Sequence, residues 1–133
     1  DMNMSDAADK GRVLLVEIFG QDYVDARDER ETDFTAGYNR LAEEAGYGLV
    51  WSRPGLDLKT RSLLTIASLT SLGRAGELRV HLLAAVNNGA SVEEIREAIL
   101  HTAVYAGFPA GRDATQIAQQ VLTELGKLPP ADG

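Results

Sequence analysis

The sequence contains no cysteine among its 133 residues. This absence excludes disulfide bonds, thiolate nucleophiles and cysteine metal ligands, and it is compatible with the cytoplasmic location that we expect for the chain. Histidine occurs only twice, and aromatic residues make up 6% of the chain. Any acid–base chemistry near neutral pH therefore depends on very few side chains.

Positive charge is also scarce. The chain has 13 Lys and Arg against 20 Asp and Glu, a formal net charge of −7. This balance argues against nucleic acid and anionic membrane surfaces as partners, because both are bound through clustered cations. A small anionic ligand is still allowed, since one or two arginines can bind a carboxylate. No apolar run approaches the ~20 residues of a membrane-spanning helix.

The composition, 44% hydrophobic and 25% charged, is that of an ordinary globular protein. The length predicts a single domain over residues 1–133, with loose ends at 1–5 and 127–133. Apolar residues recur at helical spacing and no alternating strand pattern appears, so the sequence predicts an all-α bundle of about six helices. The boundaries of these helices are indicated by Pro54-Gly55, Gly73, Asn88-Gly89, the capping box Ser91 to Glu94, Pro109 and Gly126.

Two segments carry predictions beyond their helical state. Residues 22–48 are interpreted as one charged helix that ends at Gly46 and Gly48, with an apolar rhythm at Phe34, Tyr38, Leu41 and Ala45. Residues 92–107 form a helix that is apolar nearly all round from Ala98 onward, where His101 and Thr102 are the only clearly polar side chains up to Phe108. Such a helix is buried on more than one side, which in a small domain predicts a homo-oligomer.

The stretch GRAGELRVHLL, residues 73–83, contains the first candidate site. Glu77 and His81 stand four residues apart, roughly 40° around a helix axis, and they border its apolar stripe. Arg74 shares that arc if the helix already includes it. A carboxylate that holds an imidazole forms an acid–base pair. The alternative is a surface ion pair that stabilises the helix by a few tenths of a kcal/mol.

His101 and Tyr105 form a second pair at the same spacing, on the apolar helix. They are candidates for substrate binding, and the alternative is a core histidine that a neighbour satisfies. Arg53 and Arg61, like Arg74, flank the helix before the first pair and are candidates for carboxylate binding, although solvated charge at helix ends would give the same pattern. No metal-ligand spacing, phosphate loop or serine-hydrolase elbow is present, so we expect no metal and no cofactor.

The segment from VWSRPGLDLKTRSLLTIA through LGRAGELRVHL and NNGASVEEIREAILH to VYAGFPA closely resembles the carboxymuconolactone decarboxylase family. The resemblance covers residues 12–125. It implies an all-α, alkylhydroperoxidase-D-like fold and an oligomer, a trimer or a hexamer. Peroxidase relatives carry a CxxCxxxH signature, which falls here on Arg74, Glu77 and His81. Dithiol peroxidase chemistry is excluded because neither cysteine is present.

The family reaction implied by this resemblance is the cofactor-free loss of CO₂ from γ-carboxymuconolactone, which gives the β-ketoadipate enol-lactone in protocatechuate breakdown. His81 would then be the proton donor, held by Glu77, with arginines on the substrate carboxylates. One segment departs from the family: GRDATQIA follows VYAGFPA where ANAAFHLA is expected. Gly111, Arg112 and Asp113 thus leave open a different carbonyl or lactone substrate for a related cofactor-free enzyme. A non-catalytic binding protein is a further alternative.

Overall fold

The computed structural model describes residues 4–130, and within them it shows seven α-helices, one π-helical segment and no β-strand. The predicted all-α fold is confirmed, with one α-helix more than expected. The described residues divide into two units that meet in sequence between Asp57 and Leu58. The α-helices are α1 Met4–Phe19, α2 Gln21–Arg30, α3 Ala36–Leu41, α4 Leu58–Leu72, α5 Ala75–Asn87, α6 Val92–Ala106 and α7 Phe108–Glu124, and the π-helix is Ala42–Trp51.

The predicted single domain stays a prediction. The expected loose ends at 1–5 and 127–133 fall partly on residues 1–3 and 131–133, which lie outside the described residues. Within the described part, α1 begins at Met4, and Leu128 packs against the core of the second unit. No helix within residues 4–130 has the length and apolar character needed to cross a bilayer.

In the first unit, α1 packs along the π-helix at two glycines. A Cβ at Gly48 would lie 2.0 Å from the Ala7 carbonyl oxygen, and one at Gly11 would lie 2.0 Å from the Glu43 carbonyl oxygen. The prediction that Gly46 and Gly48 end a helix is therefore wrong. Both lie inside the π-helix, and Gly48 is needed for close backbone approach rather than for a stop.

The predicted continuous helix over residues 22–48 is also interrupted, since α2 ends at Arg30 and α3 begins only at Ala36. Its supposed apolar rhythm does not face a core in this chain. Phe34, Tyr38 and Leu41 are 94%, 73% and 59% exposed. The buried apolar side chains of this unit include Leu15, Ile18 and Val24, and Arg12 pairs with the buried Glu43 and the exposed Asp28. Arg12 Nη1 contacts Glu43 Oε1 at 2.6 Å and Arg12 Nη2 contacts Asp28 Oδ2 at 2.6 Å, which holds the pKa of Asp28 below its usual range.

In the second unit, helices α4 to α7 enclose one apolar core. Its centre is formed by fully buried side chains, among them Ile66, Leu82 and Ile95. The boundaries follow the local signals, because Gly73 and Gly89 have φ of 69° and 92°, where glycine is favoured. The Ser91–Glu94 capping box is present with both of its hydrogen bonds. Gly107, with φ of 112°, separates α6 from α7.

Candidate active site

The junction between α4 and α5 determines where the first candidate site begins. The Gly73 amide donates to the Thr70 carbonyl at 3.2 Å, and the Arg74 amide donates to the Leu69 carbonyl at 3.0 Å. These bonds close the end of α4, so that Arg74 precedes α5 with a non-helical φ of −93° and ψ of 78°. The condition under which Arg74 would share a helical arc with Glu77 and His81 is therefore not met, because α5 starts only at Ala75.

Glu77 and His81 both lie on α5 but in different surroundings. Glu77 is exposed in the first turn, where the helix dipole favours a carboxylate. His81 is only 9% exposed and follows one turn later, beside the buried Leu82. The structure shows no hydrogen bond or ion pair between these two side chains. The acid–base pair therefore stays a prediction. The alternative of a surface ion pair does not fit, because the His81 ring is buried.

Burial changes the charge of the His81 ring. Removal from water lowers the pKa of His81 from its usual 6.5 to about 4, since a charged imidazolium loses more hydration than a neutral imidazole. In the free chain the ring is consequently neutral at physiological pH. A neutral imidazole accepts a proton or forms hydrogen bonds, but it has to become protonated before it can act as a general acid.

A small cavity lies where the end of α4, the start of α5 and the first turns of α7 meet. Its volume is about 50 Å³. Arg74, Thr70 and Asp113 are its polar lining residues, and Leu78 of α5 forms part of its apolar wall. Thr70 was not singled out from the sequence, because its burial depends on how α4, α5 and α7 pack. Asp113 was noted only as a departure from the family pattern.

The other two arginine candidates lie on separate units. Arg53 is exposed in the connector after the π-helix, in the first unit. Arg61 is half-buried in the first turn of α4, in the second unit. Their proposed role on substrate carboxylates stays a prediction. Within residues 4–130 no cluster of three or more His, Cys, Asp or Glu side chains is arranged to hold a metal ion.

His101 and Tyr105 are exposed, not buried, although their side chains do meet. Their ring centroids are 5.0 Å apart at an interplanar angle of 40°. They belong to what we call the outer face of α6, which consists of Leu100, His101, Val104 and Tyr105. Val104 is 68% exposed and Tyr105 80%. Within the chain only the opposite face of α6 packs, against α4 and α7, so burial of the outer face against a second copy stays a prediction.

A helical chain without thiols, with a buried histidine on one helix and arginines nearby in sequence, has the residues of an acid–base enzyme. The chain belongs to the carboxymuconolactone decarboxylase family, whose family model matches residues 36–120.

Three relatives are similar to this chain. The 4-carboxymuconolactone decarboxylase of Acinetobacter baylyi is 41% identical over 128 residues, which is 96% of each chain. The nitrosuccinic acid decarboxylase npaB of Metarhizium robertsii is 38% identical over 117 residues, 88% of this chain and 82% of the relative. An uncharacterised 15.0 kDa protein of Paracoccus denitrificans is 41% identical over 61% of this chain and 62% of its own length. The predicted enzyme class, a carboxy-lyase, is confirmed.

Proposed function

We propose that the chain decarboxylates γ-carboxymuconolactone to the β-ketoadipate enol-lactone, with His81 and Glu77 as the acid–base pair. The observation that carries this proposal is the 41% identity to a 4-carboxymuconolactone decarboxylase across 96% of both chains. The buried His81 adds a structural reason, since a titratable ring is placed on α5 within one turn of a carboxylate.

The substrate supplies its own electron sink. Its departing carboxylate is attached to a ring carbon that is conjugated, through a C=C bond, to the lactone carbonyl. When the bond to the carboxylate breaks, its electron pair moves into this system and gives a dienolate. The enzyme then has to stabilise the dienolate oxygen and deliver a proton to carbon, and neither task requires a metal or an organic cofactor.

His81 needs a proton before it can protonate the dienolate. The pKa of about 4 applies to the free chain, in which the ring faces no substrate charge. A bound dicarboxylate and a Glu77 side chain turned toward the ring both favour the imidazolium, so substrate binding raises the pKa of His81. After the transfer, solvent restores the proton. In this scheme Arg53, Arg61 and Arg74 bind the carboxylates, and His101 and Tyr105 contact substrate.

A second candidate substrate is favoured by one observation. The relative named for nitrosuccinic acid is 38% identical over 88% of this chain. Nitrosuccinic acid also has two carboxyl groups and an electron-withdrawing group, so the same residues could serve its decarboxylation. The position of Asp113 on the cavity beside Arg74 gives a physical reason for a substrate that differs from the lactone.

The test offers both substrates to the purified protein and follows CO₂ release. We expect kcat/KM for γ-carboxymuconolactone to exceed that for nitrosuccinate by at least roughly tenfold, the factor that about 1.4 kcal/mol of transition-state binding provides. The opposite order would replace the lactone by the nitro acid. Release of CO₂ from neither compound would refute the proposal. The pathway, the cytoplasmic location and the trimeric or hexameric assembly stay predictions.

A further inference from the structure

The small cavity at the start of α5 has the size of a single functional group. Its volume is about 50 Å³, far below the roughly 300–1,000 Å³ of pockets that enclose a whole small molecule, so it suits one functional group of a substrate. Most of its wall is apolar. The wall is formed by side chains of α4, α5 and α7, namely Leu69, Ala75, Leu78, Ala110, Ala114 and Ile117.

Thr70, which lines this cavity, has a buried hydroxyl without a hydrogen-bond partner among the described residues. The side chain is only 2% exposed. Other hydroxyls of α4 behave differently, because Thr65 and Ser68 donate to the carbonyl four residues earlier at 2.8 and 2.9 Å. A buried hydroxyl without a partner costs about 1–3 kcal/mol, a cost that a bound acceptor group removes.

Two opposite charges stand at the same cavity. Arg74 and Asp113 both line it, and within residues 4–130 the structure shows no hydrogen bond or ion pair between them. The guanidinium of Arg74 can therefore bind an incoming carboxylate. The carboxylate of Asp113 repels the same group, so a carboxylate in this cavity is held by one side chain and opposed by the other.

We propose that this cavity receives the carboxylate that leaves as CO₂, an assignment that rests on the proposed decarboxylation. The carbon–carbon bond to that carboxylate breaks, its electron pair moves through the C=C bond onto the lactone carbonyl to give the dienolate, and the group departs as neutral CO₂. The His81 imidazolium gives its proton to the carbon beside the lactone carbonyl, which forms the enol-lactone. The repulsion by Asp113 and the apolar walls oppose the charged carboxylate and not the neutral product, so both favour bond cleavage.

The position of His81 agrees with this assignment. Leu78 forms a wall of the cavity, and His81 lies three residues further along α5, about 4.5 Å along the helix axis. Both side chains are buried. A substrate whose leaving carboxylate occupies the cavity can thus extend its ring toward the proton donor, which protonates the carbon beside the lactone carbonyl.

Kinetics of Asp113→Asn test the role of the opposing charge. We expect kcat to fall roughly threefold to tenfold and KM to fall as well, because the variant removes ground-state repulsion, while solvent screening of exposed charges limits the size of the effect. Glu124→Gln makes the same chemical change on an exposed residue near the other end of α7 and should alter neither constant. A lowered kcat with an unchanged or raised KM in Asp113→Asn would overturn the role of this carboxylate.

A second measurement detects binding of CO₂ in the cavity independently of catalysis. Methyl NMR spectra of the protein saturated with CO₂ or with N₂, at the same pH, should differ at Thr70, Leu78 and Ala114. Ala110→Leu fills the cavity and should abolish the differences. Ala98→Leu, at an equally half-buried position of α6 outside the cavity lining, should retain them.

The two failures can be told apart. Absence of CO₂-dependent shifts in a protein that releases CO₂ from either substrate would overturn the cavity assignment and leave the proposed function standing. CO₂-dependent shifts in a protein that decarboxylates neither substrate would overturn the proposed function and, with it, the assignment to a leaving carboxylate.

Discussion

His81 is a titratable ring in an apolar position, and the proposed chemistry requires it to carry a proton. His81→Gln keeps a side chain of similar size but removes the ability to transfer a proton. We expect kcat on the preferred substrate to fall by roughly 10²–10⁴-fold, the range for loss of a general acid or base. Thermal unfolding of the variant is the control for its fold. Activity within about threefold of the parent chain would remove His81 from the role of proton donor.

The same residue makes stability depend on pH. In the unfolded chain His81 titrates near 6.5 and in the folded chain near 4. Between these values the unfolded chain binds more protons, so this contribution is complete above pH 6.5 and is lost as the pH falls toward 4. The free energy of unfolding relative to His81→Gln should therefore drop by about 3 kcal/mol across this range, at about 1.4 kcal/mol per pKa unit.

Denaturant titrations of both chains at several pH values measure this difference. The acidic groups are common to both chains, so their own titration cancels in the comparison. A difference that stays constant from pH 7 to pH 4 would show that the ring does not titrate as a buried histidine.

Removal of the Thr70 hydroxyl is expected to stabilise the protein. Thr70→Val keeps the shape of the side chain and eliminates a buried group that has no hydrogen-bond partner among the described residues. The free energy of unfolding should rise by about 1 kcal/mol, because the desolvation cost of the hydroxyl disappears. Thr65→Val is the comparison on the same helix. It should not stabilise the chain, since the Thr65 hydroxyl already donates to the Arg61 carbonyl.

At the scale of the helices, the packing of α1 on the π-helix depends on glycine. Gly48→Ala places a Cβ 2.0 Å from the Ala7 carbonyl oxygen, so the two helices have to separate. We expect a loss of several kcal/mol, at or beyond the about 1–3 kcal/mol usual for overpacking, because the obstructing atom belongs to the backbone.

Gly46→Ala is the matched variant in the same π-helix. Nothing lies within 4 Å of the added Cβ, so the gain in helix propensity of about 0.5–1 kcal/mol should stabilise the chain. Urea titration of the two variants measures both effects. Equal stabilities of Gly48→Ala and the parent chain would contradict the close packing of α1.

The sequence allowed the boundaries of the second unit to be predicted because they depend on local chemistry. Gly73, Gly89 and the Ser91–Glu94 box act within a few residues of their own position. The glycines of the π-helix were misinterpreted for the opposite reason, since the role of Gly48 depends on a carbonyl 41 residues away, at Ala7. The sequence alone does not distinguish a glycine that ends a helix from a glycine that allows two helices to pack closely.

The candidate site shows the same division between local and tertiary information. Spacing placed Glu77 and His81 on one helix, and the family resemblance implied a chemical role for His81. The burial of His81, the exposure of His101 and the cavity beside Thr70 all depend on which face of each helix meets another. These are properties of packing between distant segments, so periodicity along one helix could not provide them.

At the scale of the whole molecule, the chain carries a formal net charge of −7, and the proposed substrate is itself an anion. The general field of the chain therefore opposes the approach of a dicarboxylate, and local arginines have to overcome it. Screening by salt weakens this long-range repulsion more than it weakens contacts within the site. This balance is consistent with arginine rather than lysine at the candidate positions, because the guanidinium binds carboxylate through two parallel hydrogen bonds.

The proposed assembly into an oligomer is a property of the whole molecule. The outer face of α6 exposes Leu100, Val104 and Tyr105, and Phe108 at the start of α7 is 76% exposed. A patch of this kind is costly to leave in water and is typical of a surface between subunits. The patch therefore favours an oligomer, and the family resemblance implies that the 14.3 kDa chain sediments as a trimer or hexamer.

Val104→Glu tests this expectation, because a carboxylate that is buried without a partner opposes association. The variant should sediment at the mass of one chain, with helical circular dichroism unchanged, since Val104 is 68% exposed and leaves the core intact. Gln116→Glu adds the same charge at an exposed polar position of α7 and should leave the assembly unaffected. If Val104→Glu assembles like the parent chain, the outer face of α6 is not the subunit interface. If the variant is monomeric and retains full kcat, the site lies within one chain, whereas loss of activity on dissociation would show that a second copy completes it.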